Sequence, residues 1–182
     1  MTDRQLIEAY AGGRDLQAFG LFVERHQSAL LSFASAFLRD DTLAQDIVQE
    51  TFLRAARDPG RILKCAPGGS DERNWLLKVV RDLSIDSLRR RASERRVVSE
   101  IAAVQERAAP PPDVAMEGEE QAAQMRAAID RLKPRLREIL ILKVREKKSY
   151  REIAEITGLS VTNVGFLLHQ AMRALAEEMK GK

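Results

Sequence analysis

The sequence predicts an all-α protein made of two small helical domains joined by a flexible linker, the second domain containing a helix-turn-helix. Large apolar residues recur at three- and four-residue spacing in both halves of the 182-residue chain. No segment alternates apolar and polar residues as a strand would. Between the halves, residues 98–120 lose this periodicity and combine consecutive prolines with small and acidic residues, which is typical of a linker.

The composition narrows the class of protein. Hydrophobic residues make up 45% of the chain and charged residues 31%, which suits small globular domains with real cores. The single Cys65 and two scattered histidines offer neither a disulfide nor a zinc site. The N-terminal stretch has no secretory signal and apolar runs are short, so we expect a cytoplasmic protein without membrane insertion. The net charge of +3 suits a nucleic-acid partner only where positive residues are concentrated.

Three helices are predicted at the start of the first domain, residues 1–97. A short helix covers Asp3 to Tyr10. The spacing of large side chains from Leu16 to Phe37 indicates a long amphipathic helix. After an Asp cap, "TLAQDIVQETFLRAARD" indicates a third helix that ends before Pro59.

A loop, "DPGRILKCAPGGSDER", follows, and a fourth helix begins near Asn74. Its buried side is expected to carry Leu76, Val79, Val80 and Leu83. The helix runs into the arginine-rich stretch "SLRRRASERR".

The second domain, residues 121–182, restarts the helical pattern. Met125, Ile129 and Leu132 form one stripe, and Pro134 suits the first position of the next helix. The apolar residues of that next helix are Leu136, Ile139, Leu140 and Val144.

Helix start and stop signals define the last two helices. "SYRE", Ser149 to Glu152, is a capping box, and Gly158 is expected as a left-handed stop. Ser160 can cap the final helix. The predicted buried stripe of that helix is Val161, Val164, Leu168, Ala171, Leu175 and Met179.

Two helices joined by the short turn "GLS" are typical of a helix-turn-helix, whose second helix can enter a major groove. With the apolar stripe buried, the outward residues are Thr162, Asn163, Phe166, His169 and Arg173. Thr and Asn can hydrogen-bond base edges, and Phe can contact a thymine methyl. A plain helical hairpin, with Phe166 meeting a protein, is the alternative.

The Lys and Arg residues of the chain are most concentrated on the fourth helix. Its outward side is predicted to hold Lys78, Arg81, Asp82, Ile85, Arg89, Arg90 and Arg91, extended by Arg95 and Arg96. Such a face binds phosphates with counterion release and therefore with strong salt dependence. The alternative is an ordinary solvated helix end.

The third helix places Asp46, Gln49, Glu50 and Leu53 on one face. An acidic face beside a DNA-binding helix would repel phosphate, so it suits a protein partner better, unless it is only solvent surface. No paired carboxylates in a cleft, activated nucleophile, phosphate loop or metal cluster is evident, so neither catalysis nor a cofactor is expected.

These motifs together resemble the extracytoplasmic-function (ECF) sigma factors of bacterial RNA polymerase. The stretches that carry the resemblance are "DDTLAQDIVQETFLRAAR", "NWLLKVVRDLSIDSLRRR" and "LKPRLREILILKVREKKSYREIAEITGLSVTNV", in family order over nearly the whole chain. The resemblance implies an N-terminal domain that binds core polymerase and opens the downstream promoter element. It also implies a C-terminal helix-turn-helix domain that docks on the polymerase flap and reads the upstream element.

The resemblance also assigns residues. It places Asp46, Gln49, Glu50, Phe52 and Leu53 against core polymerase. It places the helix from Lys78 to Arg91 on the downstream element. The loop from Pro59 to Arg73 would hold a flipped base in a pocket.

Three departures from the family pattern stand out. Asp82 replaces the usual Asn, the loop is rich in Gly and Pro, and no Lys or Arg lies between Ser160 and Gln170. A domain tethered to polymerase acts at high effective concentration, so its recognition helix needs less affinity of its own. Helix N-termini, Ser149, Ser160, Arg151 and Arg173 would then position phosphates. Alternatively, Phe166 and Leu167 form an apolar patch for a protein.

The leading interpretation is a sigma factor with core RNA polymerase, promoter DNA and an anti-sigma factor as partners. A dimeric operator-binding regulator and a degenerate sigma homologue that does not initiate are the alternatives. The linker composition cannot bury much apolar surface, so the domains are expected to move freely until a partner fixes them.

Overall fold

The computed structural model describes residues 1–64, 71–99 and 117–180, and these residues are almost entirely helical. Within these described residues, nine helices follow in order: α1 (Asp3–Gly13), α2 (Leu16–Leu38), α3 (Asp41–Arg57), α4 (Pro59–Leu63), α5 (Asp71–Ser99), α6 (Glu117–Arg131), α7 (Pro134–Val144), α8 (Tyr150–Thr157) and α9 (Val161–Lys180). The all-α fold class predicted from the sequence is confirmed.

Side-chain caps define where the first three helices begin. Thr2 and Gln5 form a capping box at α1, the Asp15 carboxylate accepts from two backbone amides at α2, and Asp40 accepts from the Leu43 amide at α3. The core of this half includes Phe22 and Phe33 from α2, both fully buried. The amphipathic pattern therefore predicted α2 correctly, one residue short of its observed end.

Helix α4 corrects the loop expected after residue 58. Pro59 sits at the first position of a five-residue helix, where its missing N–H costs no hydrogen bond. Ile62 anchors this helix because its side chain is completely buried. Helix α5 then begins at Asp71, three residues before the predicted start, and residues 65–70 of the expected base-holding loop lie outside the described residues.

Helix α7 is covered on several sides. It packs against α2, α8 and α9, and every residue from Arg137 to Leu142 is buried. Val144, one of the apolar residues of this helix, is exposed at its last position.

Helix α9 buries its stripe only in the middle. Val164, Leu168 and Ala171 are buried as expected, whereas Val161 and Met179 are exposed at the two ends. The helical period was correct, but the helix is longer than the surface that covers it.

The two halves of the chain contact each other directly. Helix α5 packs against α8, and α2 packs against α7. The linker composition did not predict this packing, since it led us to expect freely moving domains. Helices α5 and α6 also extend into the predicted linker at Ser99 and Glu117, while residues 100–116 lie outside the described residues.

Candidate nucleic-acid interface

The helix-turn-helix has the predicted local geometry. The Ser149 hydroxyl accepts from the Glu152 amide at 3.2 Å, and the Glu152 carboxylate accepts from the Ser149 amide at 2.8 Å. Gly158 ends α8 with a φ of 70°, in the left-handed region that glycine tolerates best. Ser160 then accepts from the Asn163 amide at 3.2 Å and caps α9. The predicted capping box, glycine stop and cap are confirmed.

The outward face of α9 is the one expected from the sequence. Each residue predicted to face outward is exposed, and so are the residues expected to position phosphates: Thr162, Asn163, Phe166, His169 and Arg173, with Ser149, Arg151 and Ser160. Phe166 is 60% exposed, which is high for a large aromatic side chain. Leu167 lines a groove whose lining does not include Phe166.

The basic face of α5 is mostly exposed. Its exposed members are Lys78, Asp82, Arg89, Arg90 and Arg91, and Ile85 is half-buried. Arg91 donates to the Asp40 carboxylate at 2.7 Å. The Leu43 amide and then Arg91 lower the pKa of Asp40, so this carboxylate stays charged and holds Arg91 against the start of α3. The side chains of Arg95 and Arg96 lie outside the described residues.

Arg81 departs from the predicted outward arrangement. Its side chain is only 11% exposed and forms an ion pair with Glu138 of α7, while also donating to Asp82 at 2.9 Å. Glu138 is buried, and burial raises the pKa of this carboxyl group against the opposing effect of Arg81. The helical period placed Arg81 on the polar side of α5, but the second half of the chain covers that side.

The polar stripe on α3 borders an apolar groove between α2 and α3. Asp46, Gln49 and Leu53 are exposed, and Glu50 is half-buried and accepts from Arg54 at 2.9 Å. That hydrogen bond lowers the pKa of Glu50. The groove has a volume of about 580 Å³, and its lining includes Phe19, Val23, Leu31, Val48, Phe52 and Leu53.

A second groove of about 470 Å³ lies between α6, α7 and α9. Leu132, Leu136 and Leu167 contribute its apolar lining, and Arg131, Lys133 and Arg135 border it. The sequence pattern did not predict this groove. Leu167 could have indicated the groove, because this apolar residue lies outside the predicted buried stripe of α9.

Sequence comparison matches both halves of the chain to parts of one family. Residues 22–94 match the model for sigma-70 region 2, and residues 122–175 match the model for sigma-70 region 4. The chain belongs to the sigma-70 family.

Relatives within the sigma-70 family span most of the chain. The RNA polymerase sigma-H factor of Pseudomonas aeruginosa is 29% identical, over 98% of this chain and 94% of the relative. The probable RNA polymerase sigma factor RfaY of Xanthomonas campestris pv. campestris is 30% identical over 98% of this chain, which spans 44% of that longer protein. The ECF RNA polymerase sigma factor BldN of Streptomyces coelicolor is 29% identical, over 94% of this chain and 64% of the relative.

Two solved structures share the fold. The sigma factor RpoE, in complex with the anti-sigma factor NepR from Bartonella quintana, has a TM-score of 0.70 at 22% identity, over 90% of this chain and 98% of that one. CnrH, in complex with the cytosolic domain of CnrY, has a TM-score of 0.70 at 24% identity, over 99% of this chain and 98% of that one.

Sigma-70 region 2 contains the α2–α3 groove, the α3 stripe and the basic face of α5, and region 4 contains the helix-turn-helix and the second groove. The polar stripe predicted from the sequence marks the α3 side of the first groove, whereas no sequence pattern predicted the side formed by α2. Phe19 and Val23 belong to the apolar spacing that predicted α2, and periodicity cannot separate a core residue from a groove residue. Among the described residues, metal-binding side chains form no cluster, and none of the helices could span a bilayer.

Proposed function

We propose that this sigma-70 family member is an ECF sigma factor that binds core RNA polymerase and directs promoter-specific initiation without itself forming phosphodiester bonds. The observation that carries the proposal is the presence of two different surfaces within region 2. An apolar groove with a polar rim lies between α2 and α3, and a basic face lies along α5. The first suits a protein and the second suits DNA.

Core polymerase would bind the α2–α3 groove. An apolar centre surrounded by polar groups is the usual anatomy of a protein interface. Leu53 would supply an apolar anchor, since it is 44% exposed at the edge of the groove. Asp46, Gln49 and Glu50 would form the polar rim, and Phe52 would shape the groove floor.

The downstream promoter element would bind α5. Lys78, Arg89 and Arg90 are exposed and can contact phosphates, and Ile85 can pack against a base or sugar. Asp82 would repel phosphate unless a cation screens it, and Arg81 already lies 2.9 Å from its carboxylate.

The upstream element would bind the outward face of α9. Asn163 and Thr162 can hydrogen-bond base edges, and Phe166 can contact a thymine methyl. The lack of Lys and Arg between Ser160 and Gln170 is tolerable because polymerase would hold region 4 close to DNA at high effective concentration. We therefore expect weak promoter binding by the isolated chain.

We also propose that the chain acts in the cytoplasm and has an anti-sigma factor as an inhibitor. The RpoE structure that shares its fold is a complex with the anti-sigma factor NepR, and the CnrH structure is a complex with the cytosolic domain of CnrY. Cytoplasmic action follows from the need to meet polymerase and chromosomal DNA.

Run-off transcription tests the proposed function. Purified core polymerase and the full chain would be incubated with fragmented genomic DNA from the host, and transcript starts would be sequenced. Discrete starts that share two spaced elements are expected. Core binding without any starts would contradict promoter-directed initiation.

Leu53→Ala provides the matching test of the core-binding surface. We expect it to weaken core binding by about tenfold, or ~1.4 kcal/mol, since exposed apolar anchors in interfaces often contribute this much. Leu16→Ala is the control, because Leu16 is also an exposed leucine but does not line the groove. Equal effects of the two substitutions would contradict the assigned surface.

The degenerate-homologue alternative is favoured by Asp82 and by the uncharged start of α9. Such a protein would bind core and give no starts even when Asp82→Asn restores the usual family residue. A chain that bound a palindromic duplex without polymerase would instead be an autonomous regulator.

A further inference from the structure

Helix α1 lies outside the part of the chain that matches sigma-70 region 2, since that match begins at residue 22. The helix is nevertheless part of the same core. Leu6 and Ile7 are fully buried, and α1 packs against α2 and α4. The surfaces assigned above to polymerase and to promoter DNA include no residue of α1. A role for this helix must therefore come from what it contacts.

The segment that α1 contacts runs from Pro59 to Arg73, to which the family resemblance assigns a flipped promoter base. Its described parts are α4 and the first turn of α5. A base pocket works only when the elements around it are held close to one geometry. The contacts that join α4 to the start of α5 are therefore the ones that bear on base recognition.

Arg4 of α1 contacts both of these parts. Its Nη2 atom donates to the Leu63 carbonyl oxygen at the end of α4, at 3.2 Å. Its Nη1 atom lies 3.9 Å from Oε1 of Glu72, in the first turn of α5. One guanidinium group therefore connects the last residue of α4 with the first turn of α5.

Both partners of Arg4 need a positive or donating group. The Glu72 side chain is only 8% exposed, and a buried carboxylate is strongly unfavourable without a cation nearby. The Leu63 carbonyl belongs to the last turn of α4, where helix geometry leaves C=O groups without an intrahelical donor. Arg4 therefore satisfies a charge on one element and a carbonyl on the other.

Neighbouring contacts fix the position of Arg4. Asp3 forms an ion pair with Arg25 of α2, and its Oδ2 atom lies 2.8 Å from Nε2 of the buried His26. The Nε atom of Arg4 donates to Glu8, one turn further along α1, at 3.1 Å. Arg4 therefore extends from a helical turn that is anchored to α2, which limits how far α4 and α5 can move.

We propose that Arg4 is a positioning residue for recognition of the downstream promoter element, because it fixes the end of α4 against the start of α5. Arg4 does not contact DNA in this role. The link to promoter recognition rests on the proposed function, whereas the bridge between α4 and α5 rests on the contacts of Arg4 alone. Loss of the bridge reduces discrimination between bases more than it reduces binding to polymerase.

A distance measurement on the full chain without polymerase tests the bridge. Spin labels would be attached at Lys64→Cys beside α4 and Asp86→Cys on α5, both exposed sites, in a Cys65→Ser background. We expect a narrow distance distribution in this labelled parent. Adding Arg4→Gln, which removes the charge and shortens the side chain, should broaden the distribution. An unchanged distribution would overturn the proposal.

Arg14→Gln is the matched control. Arg14 lies at the other end of α1 and donates to the Ala56 carbonyl oxygen of α3 at 3.1 Å, so this variant also loses a contact from α1 to a backbone carbonyl. It should leave the distance between α4 and α5 narrowly distributed. Equal broadening in Arg14→Gln and Arg4→Gln would show that any weakening of α1 has this effect, and would overturn the specific role of Arg4.

Base discrimination tests the functional consequence. Each position of the downstream element in a promoter found by run-off transcription would be randomised, and transcript starts would be counted for each base at saturating polymerase. We expect Arg4→Gln to lower the preference for the favoured base at one position by about fivefold, a large part of what one mismatched base usually costs. Arg14→Gln should keep the parental preference. An unchanged preference in Arg4→Gln would show that Arg4 only stabilises the fold, and would overturn the proposal.

Glu72→Gln tests whether Arg4 acts through Glu72. It removes the charge, preserves the side-chain shape and should lower the same base preference. The double variant with Arg4→Gln should lose less than the sum of the two single losses, because residues that share one interaction are not additive. Additive losses would contradict a shared bridge.

The two kinds of measurement separate this proposal from the proposed function. The distances between α4 and α5 involve neither polymerase nor DNA. A parent that gave no transcript starts would therefore remove the proposed function, while a broader distance distribution in Arg4→Gln would still support the bridge.

Discussion

At the scale of single residues, His26 makes stability depend on pH. It is buried in region 2, with its Nε2 atom 2.8 Å from Oδ2 of Asp3. Burial lowers the pKa of His26 below 6.5 although Asp3 acts in the opposite direction; Arg73 and Arg25 add to the lowering. The unfolded chain therefore binds the proton at a higher pH than the folded chain, and stability should fall as the pH drops below 6.5.

His26→Gln should remove the contribution of His26 to the pH dependence of stability. We expect the urea midpoint of the variant to depend less on pH than that of the parent between about pH 7 and pH 5, where histidine ordinarily titrates. His169→Gln replaces the other histidine, which is exposed, and should keep the parental profile. Identical pH profiles for His26→Gln and the parent would contradict this account.

Periodicity predicted residue exposure where one helix face stays in solvent. It identified the outward set on α9, including Asn163 and Phe166, because only one side of that helix is covered. It failed at Arg81. The burial of Arg81 depends on Glu138, 57 positions away in the sequence, and local spacing contains no information about such a partner.

At the scale of helices, the capping box sets the start of α8. Ser149→Ala removes the acceptor for the Glu152 amide and should cost ~1 kcal/mol of unfolding free energy, as is usual for lost caps. Chemical denaturation followed by circular dichroism measures the change. Glu155→Gln alters the same helix without changing the cap, so its unfolding free energy should stay within ~0.5 kcal/mol of that of the parent.

The same box adds a second dependence on pH, at acidic values. Although burial acts in the opposite direction, the Ser149 hydrogen bonds and Lys148 lower the pKa of Glu152 from 4.5 to about 2. Its contribution to stability is therefore present above pH 4.5 and is lost as the pH falls toward 2. Glu152→Gln can keep the cap but cannot titrate, so its unfolding midpoint should change less over this range. If the unfolding midpoint of Glu152→Gln changed as much as that of the parent, other carboxyl groups would dominate the acid dependence of stability.

Helix starts were predicted best where a side chain caps the backbone. Ser149, Ser160 and the Asp before α3 all marked real starts. Helix α4 was missed because Pro59 and Gly60 were interpreted as a break, although proline is also favoured at a first helical position. Five residues are too few to show a helical period, and only the tertiary burial of Ile62 distinguishes this helix from a loop.

At the scale of the whole molecule, the sequence predicted two helical domains in the correct order but not their mutual packing. The composition of residues 98–120 describes how loosely the halves are connected, and not whether their surfaces match. That match depends on Arg73 and Arg81 meeting Glu146 and Glu138. These pairs are 73 and 57 positions apart in the sequence, so the contact becomes visible only once both halves are folded.

The same contact predicts how the chain unfolds. Trp75, the single tryptophan, lies on α5 and reports on region 2, whereas circular dichroism reports on the helices of both halves. The interdomain pairs couple the halves, so the two signals should give coincident urea transitions in the parent. Removing the charges of Glu138 and Glu146 together by substitution with Gln should separate the transitions. Exposed Glu24 and Glu155, replaced by Gln as a matched pair, should leave them coincident. Separate transitions in the parent, or coincident ones in the Glu138 and Glu146 variant, would show that these ion pairs do not couple the two halves.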